Sequence, residues 1–171
     1  MEVKTYTQDR KLFSIGKMSG LLDSFLKNSN SLGNDSLKVD LNLFLEAASK
    51  QNVQFEFIRL NSFELDKKSH DISNAQNALI EAEYAIANSG LVVLDTSDAD
   101  ILLSVFLAET LHIIVPASKV LPSNEDLELV KGKVAVELGR GIASIHVRET
   151  NSQMDFSSKI LRTMIYVIED L

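Results

Sequence analysis

Four short loops between predicted strands and helices carry side chains that could bind an anion. They are Asn-Ser-Gly at 88–90, Asp-Thr-Ser-Asp at 95–98, Pro-Ala-Ser at 116–118 and Arg-Glu-Thr-Asn-Ser at 148–152. Hydroxyl and amide groups, with backbone N–H groups near helix starts, suit a carboxylate or phosphate. The same residue types also make ordinary turns and helix caps, so both interpretations stay open. The candidate ligand-binding residues of the first three loops are Asn88, Ser89, Gly90, Asp95, Thr96, Ser97 and Ser118.

Acid–base and nucleophilic residues give a weaker signal. Carboxylates of this kind are usually solvated groups or helix caps, and no feature of the sequence marks one as a tuned general base. Ser89 and Ser97 lack the G-x-S-x-G motif of a hydrolase nucleophile. His112 lies inside an apolar run, which indicates a core histidine rather than a catalytic one. The candidate acids are Glu81, Glu83, Asp95, Asp98, Asp100 and Glu109.

Metal and cofactor motifs are missing from the sequence. The chain contains no cysteine, which excludes disulfides, thiol catalysis and Cys-ligated zinc or iron–sulfur clusters within it. The three histidines are far apart and show no H-x-x-x-H spacing. Gly139-Arg140-Gly141 lacks the third glycine of a dinucleotide-binding motif, and no P-loop is present. We therefore expect no metal or bound cofactor, and redox chemistry would require a partner or an organic cofactor.

Charge and hydropathy narrow the range of partners. The formal net charge is −7, and no cluster of basic residues with interleaved aromatics stands out, so nucleic acid and anionic membranes are poor partners. The first residues do not resemble a signal peptide, and no apolar run approaches the length of a membrane span. We expect a cytoplasmic location.

The N-terminal part of the chain is predicted to stand apart from the main domain. An amphipathic pattern predicts a helix from Lys11 to Lys27, and the polar stretch 28–36 predicts a loop or mobile linker. Residues 1–39 would thus form an N-terminal helix and linker, and residues 40–171 the main domain. The N-terminal segment could pack on the domain, remain mobile or support a homo-oligomer.

Strand-like and helix-like patterns alternate along the main domain. In the first half they predict a helix capped by Asp40 that runs to about Gln51, a strand at 53–60, and a helix after Asp71 or Ser73 that contains Ala75, Ala78, Leu79 and Ala82. Two strands within 84–94, joined by the turn at 88–90, follow. The second half is predicted to form a helix at 99–109 capped by Ser97 or Asp98, a strand at 111–116, a helix from Ser123 or Asn124, and strands at 142–147 and 162–169. Residues 133–138 fit either a helix or a strand. This alternation implies βαβ units and an α/β fold with a mostly parallel sheet covered by helices.

Two segments carry a resemblance to a known family. Residues 81–94 read E-A-E-Y-A-I-A-N-S-G-L-V-V-L, and residues 111–120 read L-H-I-I-V-P-A-S-K-V. They resemble the LUD domain of the lactate-utilisation protein C family, whose pattern is A-I-A-(E/D)-T-G-T-x-V-L followed by an h-H-I-x-V-V strand. The resemblance extends from about residue 44 to the end of the chain. It implies the three-layer α/β fold of glucosamine-phosphate deaminase-like, ribose-phosphate isomerase-like and coenzyme A transferase-like proteins, with helices on both faces of a twisted sheet.

The sequence departs from the family pattern at two places. Ser89 and Leu91 stand where the family commonly has Thr. The family's glycine-rich G-P-S-(R/K)-T-A-D-I-E and G-x-H-G-P segments correspond here only to N-S-Q-M-D-F at 151–156. Within that segment the resemblance adds Ser152 and Asp155 to the candidate ligand-binding residues.

The resemblance implies an accessory protein for the oxidation of lactate or a related 2-hydroxy acid, working beside partner subunits that carry the iron–sulfur chemistry. An alternative is an enzyme or sensor of the isomerase or coenzyme A transferase class that binds a small carboxylate or phosphate, such as a phosphosugar or an acyl coenzyme A. A divergent structural or oligomeric domain without catalysis is a third possibility, because a shared fold does not establish a shared function.

Overall fold

The computed structural model describes residues 19–65, 67, 76–95, 97–132, 135–139, 141–145 and 162–169. The helices are α1 (residues 19–31), α2 (Leu41–Ala48), α3 (Ala99–Leu107) and α4 (Asn124–Lys131), with a short 3₁₀ helix at Ala117–Lys119. The strands are β1 (Asp35–Asp40), β2 (Phe57–Arg59), β3 (Asn77–Glu81), β4 (Tyr84–Ile86), β5 (Leu91–Leu94), β6 (Thr110–Pro116), β7 (Val120–Leu121), β8 (Val136–Gly139), β9 (Ile142–Ser144) and β10 (Arg162–Glu169).

Five of the strands form a fully parallel sheet in the order β1-β10-β6-β3-β2. β6 lies at its centre, and His112 on β6 pairs with Leu79 on β3 and Met164 on β10. β3 and β6 are apolar and buried along most of their length, as expected for inner strands covered on both faces.

The other five strands form a mixed sheet in the order β7-β4-β5-β9-β8. β4 and β5 are an antiparallel hairpin, in which Tyr84 pairs with Val93 and Ile86 with Leu91. β7 runs parallel to β4, and β9 runs parallel to β5. The predicted strand–turn–strand unit at 84–94 is therefore confirmed.

Helices cover both faces of the parallel sheet. Neighbouring strand residues point to opposite faces, so Leu79 packs with Phe44 of α2 while Ile80 packs with Phe25 of α1 and Val105 of α3. The same cluster as Ile80 also contains residues of the mixed sheet, and α4 covers that sheet's outer face through Leu127. This arrangement confirms the predicted α/β fold with a mostly parallel sheet between layers of helices.

The predicted loop at 28–36 is wrong. Residues 28–31 continue α1, and β1 begins at Asp35 after a turn at 32–34. Three polar side chains bond to one another here: Ser29 Oγ lies 2.6 Å from Ser36 Oγ, and Asn34 Nδ2 donates to Ser29 Oγ. Residues 11–18 of the predicted first helix lie outside the described residues.

The predicted helix through Ala78, Leu79 and Ala82 is also wrong, because residues 77–81 form β3. Ala78, Leu79 and Ile80 are completely buried. A strand that is apolar on both faces shows no alternation, so its apolar positions can match a helical spacing by chance. The part of the predicted helix before residue 76 lies outside the described residues.

Several other boundaries differ or are now settled. Asp40 caps α2 as predicted, but the helix ends at Ala48 rather than near Gln51. The strand predicted at 53–60 is reduced to 57–59, and residues 136–139, left open by the sequence, form β8. Of the two predicted caps of α3, Asp98 is the one observed, and the helix ends at Leu107 rather than near Glu109. The predictions of β6 ending at Pro116 and of β10 are confirmed.

Candidate functional site

The carboxyl ends of β2, β3 and β6 meet at one edge of the parallel sheet, here called the carboxyl edge. β4 starts only three residues after β3 ends, and Glu83 N donates to Val93 O of β5. The open end of the hairpin, where β4 begins and β5 ends, therefore lies beside the carboxyl edge. Ligands of open α/β sheets bind at such an edge.

The hairpin separates the predicted ligand-binding residues into two groups. Asp95 and Ser97 follow β5 and Ser118 follows β6, so all three lie at the carboxyl edge. Asn88, Ser89 and Gly90 form the turn at the other end of β5, on the order of 13 Å away for a strand of this length. Thr96, Ser152 and Asp155 lie outside the described residues.

α1 packs against both ends of the turn at 88–90, whereas the Asn88 side chain is exposed. Asn28 Nδ2 donates to Ala87 O over 2.7 Å, and Asn88 N donates to Pro122 O over 3.1 Å. Gly90 has a φ of +77°, and a Cβ there would lie 2.4 Å from the backbone of Asn28 and Ser29. Gly90 thus allows close packing against α1, and the backbone N–H groups of Asn88 and Gly90 both donate to backbone carbonyls.

Arg59 ties β2 to the start of α3 through two of the candidate acids. Its Nη2 donates to Asp100 Oδ2 over 2.9 Å, and its Nε lies 3.5 Å from Asp98 Oδ2. Asp98 also accepts the backbone N–H of Asp100, which makes it the N-cap of α3. Both carboxylates therefore have positions explained by capping and ion pairing, which are modest contributions at a partly exposed site.

Glu81 is a buried carboxylate at the end of the inner strand β3. It accepts hydrogen bonds from Asn61 N over 2.6 Å and Ser62 N over 2.8 Å, and also from the Ser62 hydroxyl. Three donors satisfy the charged group and hold residues 61–62 across the end of β3. Sequence spacing gave no sign of this role, because the donors lie about twenty residues away.

Two lysines at the carboxyl edge were not identified from the sequence. Lys119 Nζ lies 5.1 Å and Lys131 Nζ 5.7 Å from the centre of the Tyr84 ring. Lys131 also lies 3.8 Å from a carboxylate oxygen of Glu83, another of the candidate acids. Lys119 belongs to the 3₁₀ helix after β6 and Lys131 to the end of α4, and neither belongs to a recognisable motif.

His112 belongs to the aromatic core on the α2 side of the parallel sheet. Its Nδ1 lies 3.0 Å from the Tyr166 hydroxyl, and its ring meets Phe55 edge-on with centroids 5.1 Å apart. Burial, with a smaller effect from the positive charge of Arg162, lowers the pKa of His112 to about 4. Burial also raises the pKa of Tyr166. These contacts agree with the interpretation of His112 as a core residue.

The described part of the chain shows neither a metal site nor a membrane-spanning helix. No group of three or more His, Asp or Glu side chains that could hold a metal ion occurs there. None of the helices in that part is both long and apolar enough to cross a membrane.

Comparison with known proteins identifies the family. A crystal structure of a DUF162 family protein from Deinococcus radiodurans, at 1.70 Å resolution, superposes with a TM-score of 0.58 at 13% sequence identity, covering 88% of this chain and 98% of that chain. At this identity the likeness establishes the fold alone. No curated protein is significantly similar in sequence. The family model of the LUD domain matches residues 19–141, so the chain belongs to the LUD domain family.

Proposed function

We propose that this protein is a cytoplasmic accessory protein in the oxidation of lactate or a related 2-hydroxy acid, acting beside iron–sulfur partner subunits. Membership of the LUD domain family supports a role associated with lactate utilisation in general. The proposal of iron–sulfur partners rests on one observation: this LUD domain chain contains no cysteine. Because iron–sulfur clusters are held mainly by cysteine thiolates, we expect the cluster of such a reaction to be held by a partner subunit.

The roles of the candidate acids support an accessory function. Asp98 and Asp100 pair with Arg59, Glu81 accepts three hydrogen bonds from residues 61–62, and Glu83 pairs with Lys131. Each of these carboxylates has a partner that explains its position without a substrate. The protein would contribute a docking surface to the partner subunits or bind a small anion for them.

A tagged pull-down from native cells, followed by mass spectrometry, tests this proposal. We expect iron–sulfur or flavin oxidoreductase subunits to be recovered with the tagged chain and absent from a tag-only control. A reciprocal pull-down with the recovered subunit should return this chain. Recovery of this protein alone, together with unchanged lactate oxidation in cells that lack it, would overturn the proposal.

A second candidate function is the binding of a small carboxylate or phosphate, as in an enzyme or sensor of the isomerase or coenzyme A transferase class. The observation that favours it is the presence of Lys119 and Lys131 at the carboxyl edge. Thermal unfolding with lactate, phosphosugars and acyl coenzyme A tests it. A ligand at about a hundred times its Kd stabilises the folded state by about 2.7 kcal/mol. An unchanged melting temperature across the panel would refute this function and restrict the accessory role to a docking surface.

A further inference from the structure

Two positive charges share one aromatic ring at the carboxyl edge. Tyr84 is the first residue of β4 and is 6% exposed, packed in the cluster that contains Leu127 of α4. The ammonium groups of Lys119 and Lys131 both lie within 6 Å of its ring centre. This is the range in which the electrons of an aromatic face attract a cation. Both lysines are themselves exposed to solvent, so their charges are accessible to a ligand.

The carboxylates nearby neutralise only part of this charge. Lys131 has an ion pair with Glu83, at 3.8 Å, whereas Lys119 has no ion pair with any carboxylate among the described residues. The local charge of Lys119, Lys131 and Glu83 is positive, in a chain whose net charge is −7. Both ammonium groups would attract an anion that approaches Tyr84.

The position of the lysines is also that of a ligand site. Lys119 directly follows Ser118, at the carboxyl end of β6, and Tyr84 begins the strand that follows β3. Ligands of open α/β sheets bind beyond the carboxyl ends of such strands. Lys131 comes from α4, so the fold brings a second cation to this edge from a separate element.

We propose that Lys119 and Lys131, held against Tyr84, form a binding site for the phosphate or carboxylate group of a small molecule. This inference deepens the second candidate function and does not depend on iron–sulfur partners. The site is different from the turn at 88–90, where Gly90 packs against α1. The lysine ammonium groups supply the charge, and Ser118 is the nearest hydroxyl along the chain.

Calorimetric titration with inorganic phosphate and with lactate, at constant ionic strength, tests the site. Lys119→Met and Lys131→Met remove the charge but keep an unbranched side chain of similar length. We expect each to weaken binding of the better probe by at least about tenfold, because charged groups make the stronger contacts to an oxyanion. Lys119→Arg keeps the charge and should retain binding. Lys38→Met, on β1 and paired with Asp23, is the matched control and should bind as the wild type does.

The outcomes separate this site from the broader function. If the wild type binds a probe and both Met variants bind it equally well, the site is wrong while anion binding survives. If neither probe binds but a phosphosugar or acyl coenzyme A raises the melting temperature equally in wild type and Met variants, the site is again wrong. If the wild type binds none of these compounds, the site and the second candidate function both fail.

Discussion

His112 illustrates how one side chain couples the core to solution pH. The neutral imidazole suits the apolar surroundings, where it contacts Phe55 and the Tyr166 hydroxyl. Its pKa is lowered from 6.5 to about 4 in the folded protein. Between these two values the unfolded chain binds a proton that the folded chain does not. The stability that His112 contributes is therefore complete above pH 6.5 and is lost progressively as the pH falls toward 4.

We predict that His112→Asn flattens the pH dependence of stability in this window. Asn has no titrating group, and its amide can take over the hydrogen bond to Tyr166. Urea unfolding at pH 7 and pH 5 measures the effect. The wild type should lose more free energy of unfolding between these two values than the variant does. Equal losses would show that His112 has the same pKa in both states.

At the scale of elements, the contact between α1 and the β4–β5 turn sets how closely the hairpin packs against α1. Gly90 has a positive φ, and the space that its Cβ would need is filled by the backbone of Asn28 and Ser29. Gly132, which follows α4, has a similar φ of +65° but open space around it. Alanine substitutions at Gly132 and Gly90 therefore distinguish the free-energy cost of a left-handed backbone from the additional cost of a steric clash.

Gly132→Ala should cost about 1 kcal/mol, the conformational penalty of a left-handed backbone. Gly90→Ala should cost about 3 kcal/mol or more, because α1 must also shift away from the turn. Chemical denaturation of both variants measures the difference. Similar losses of unfolding free energy in the two variants would show that α1 is not packed tightly against the turn.

At the scale of the whole molecule, we expect α1 to unfold cooperatively with the two sheets. Phe25 on α1 is completely buried and shares a cluster with residues of α3 and of both sheets. This placement joins residues 19–31 to the body that sequence analysis assigned to residues 40–171. A helix that was only loosely attached would not bury its largest side chain in that cluster.

Phe25→Ala should lower the free energy of unfolding by about 3–5 kcal/mol, the usual cost of emptying a buried aromatic site. Unfolding should remain a single transition in urea, followed by circular dichroism and by fluorescence of the tyrosines. Leu129→Ala is the control, since Leu129 is 85% exposed and its loss should change stability by no more than about 0.5 kcal/mol. A small effect at Phe25 would contradict the packing of α1 in the core.

Sequence alone determined the features that depend on neighbours in the chain. Leu91–Leu94 and Tyr84–Ile86 are short apolar runs about a glycine turn, and they form the hairpin. Asp40 and Asp98 precede apolar helical patterns and cap α2 and α3. The family motif at 81–120 also lies in one continuous stretch. These features follow from backbone preference and periodicity over a few residues, which a single sequence displays directly.

Only the tertiary structure decided the features that join distant residues. β3 resembled a helix in sequence because burial on both faces removes the alternation by which strands are recognised. Glu81 meets its donors at 61–62, Gly90 meets α1, and Lys119 and Lys131 meet at Tyr84 through the order of the strands. The physical reason is that these contacts depend on how elements pack and connect, and no local pattern encodes which distant side chains will share an edge.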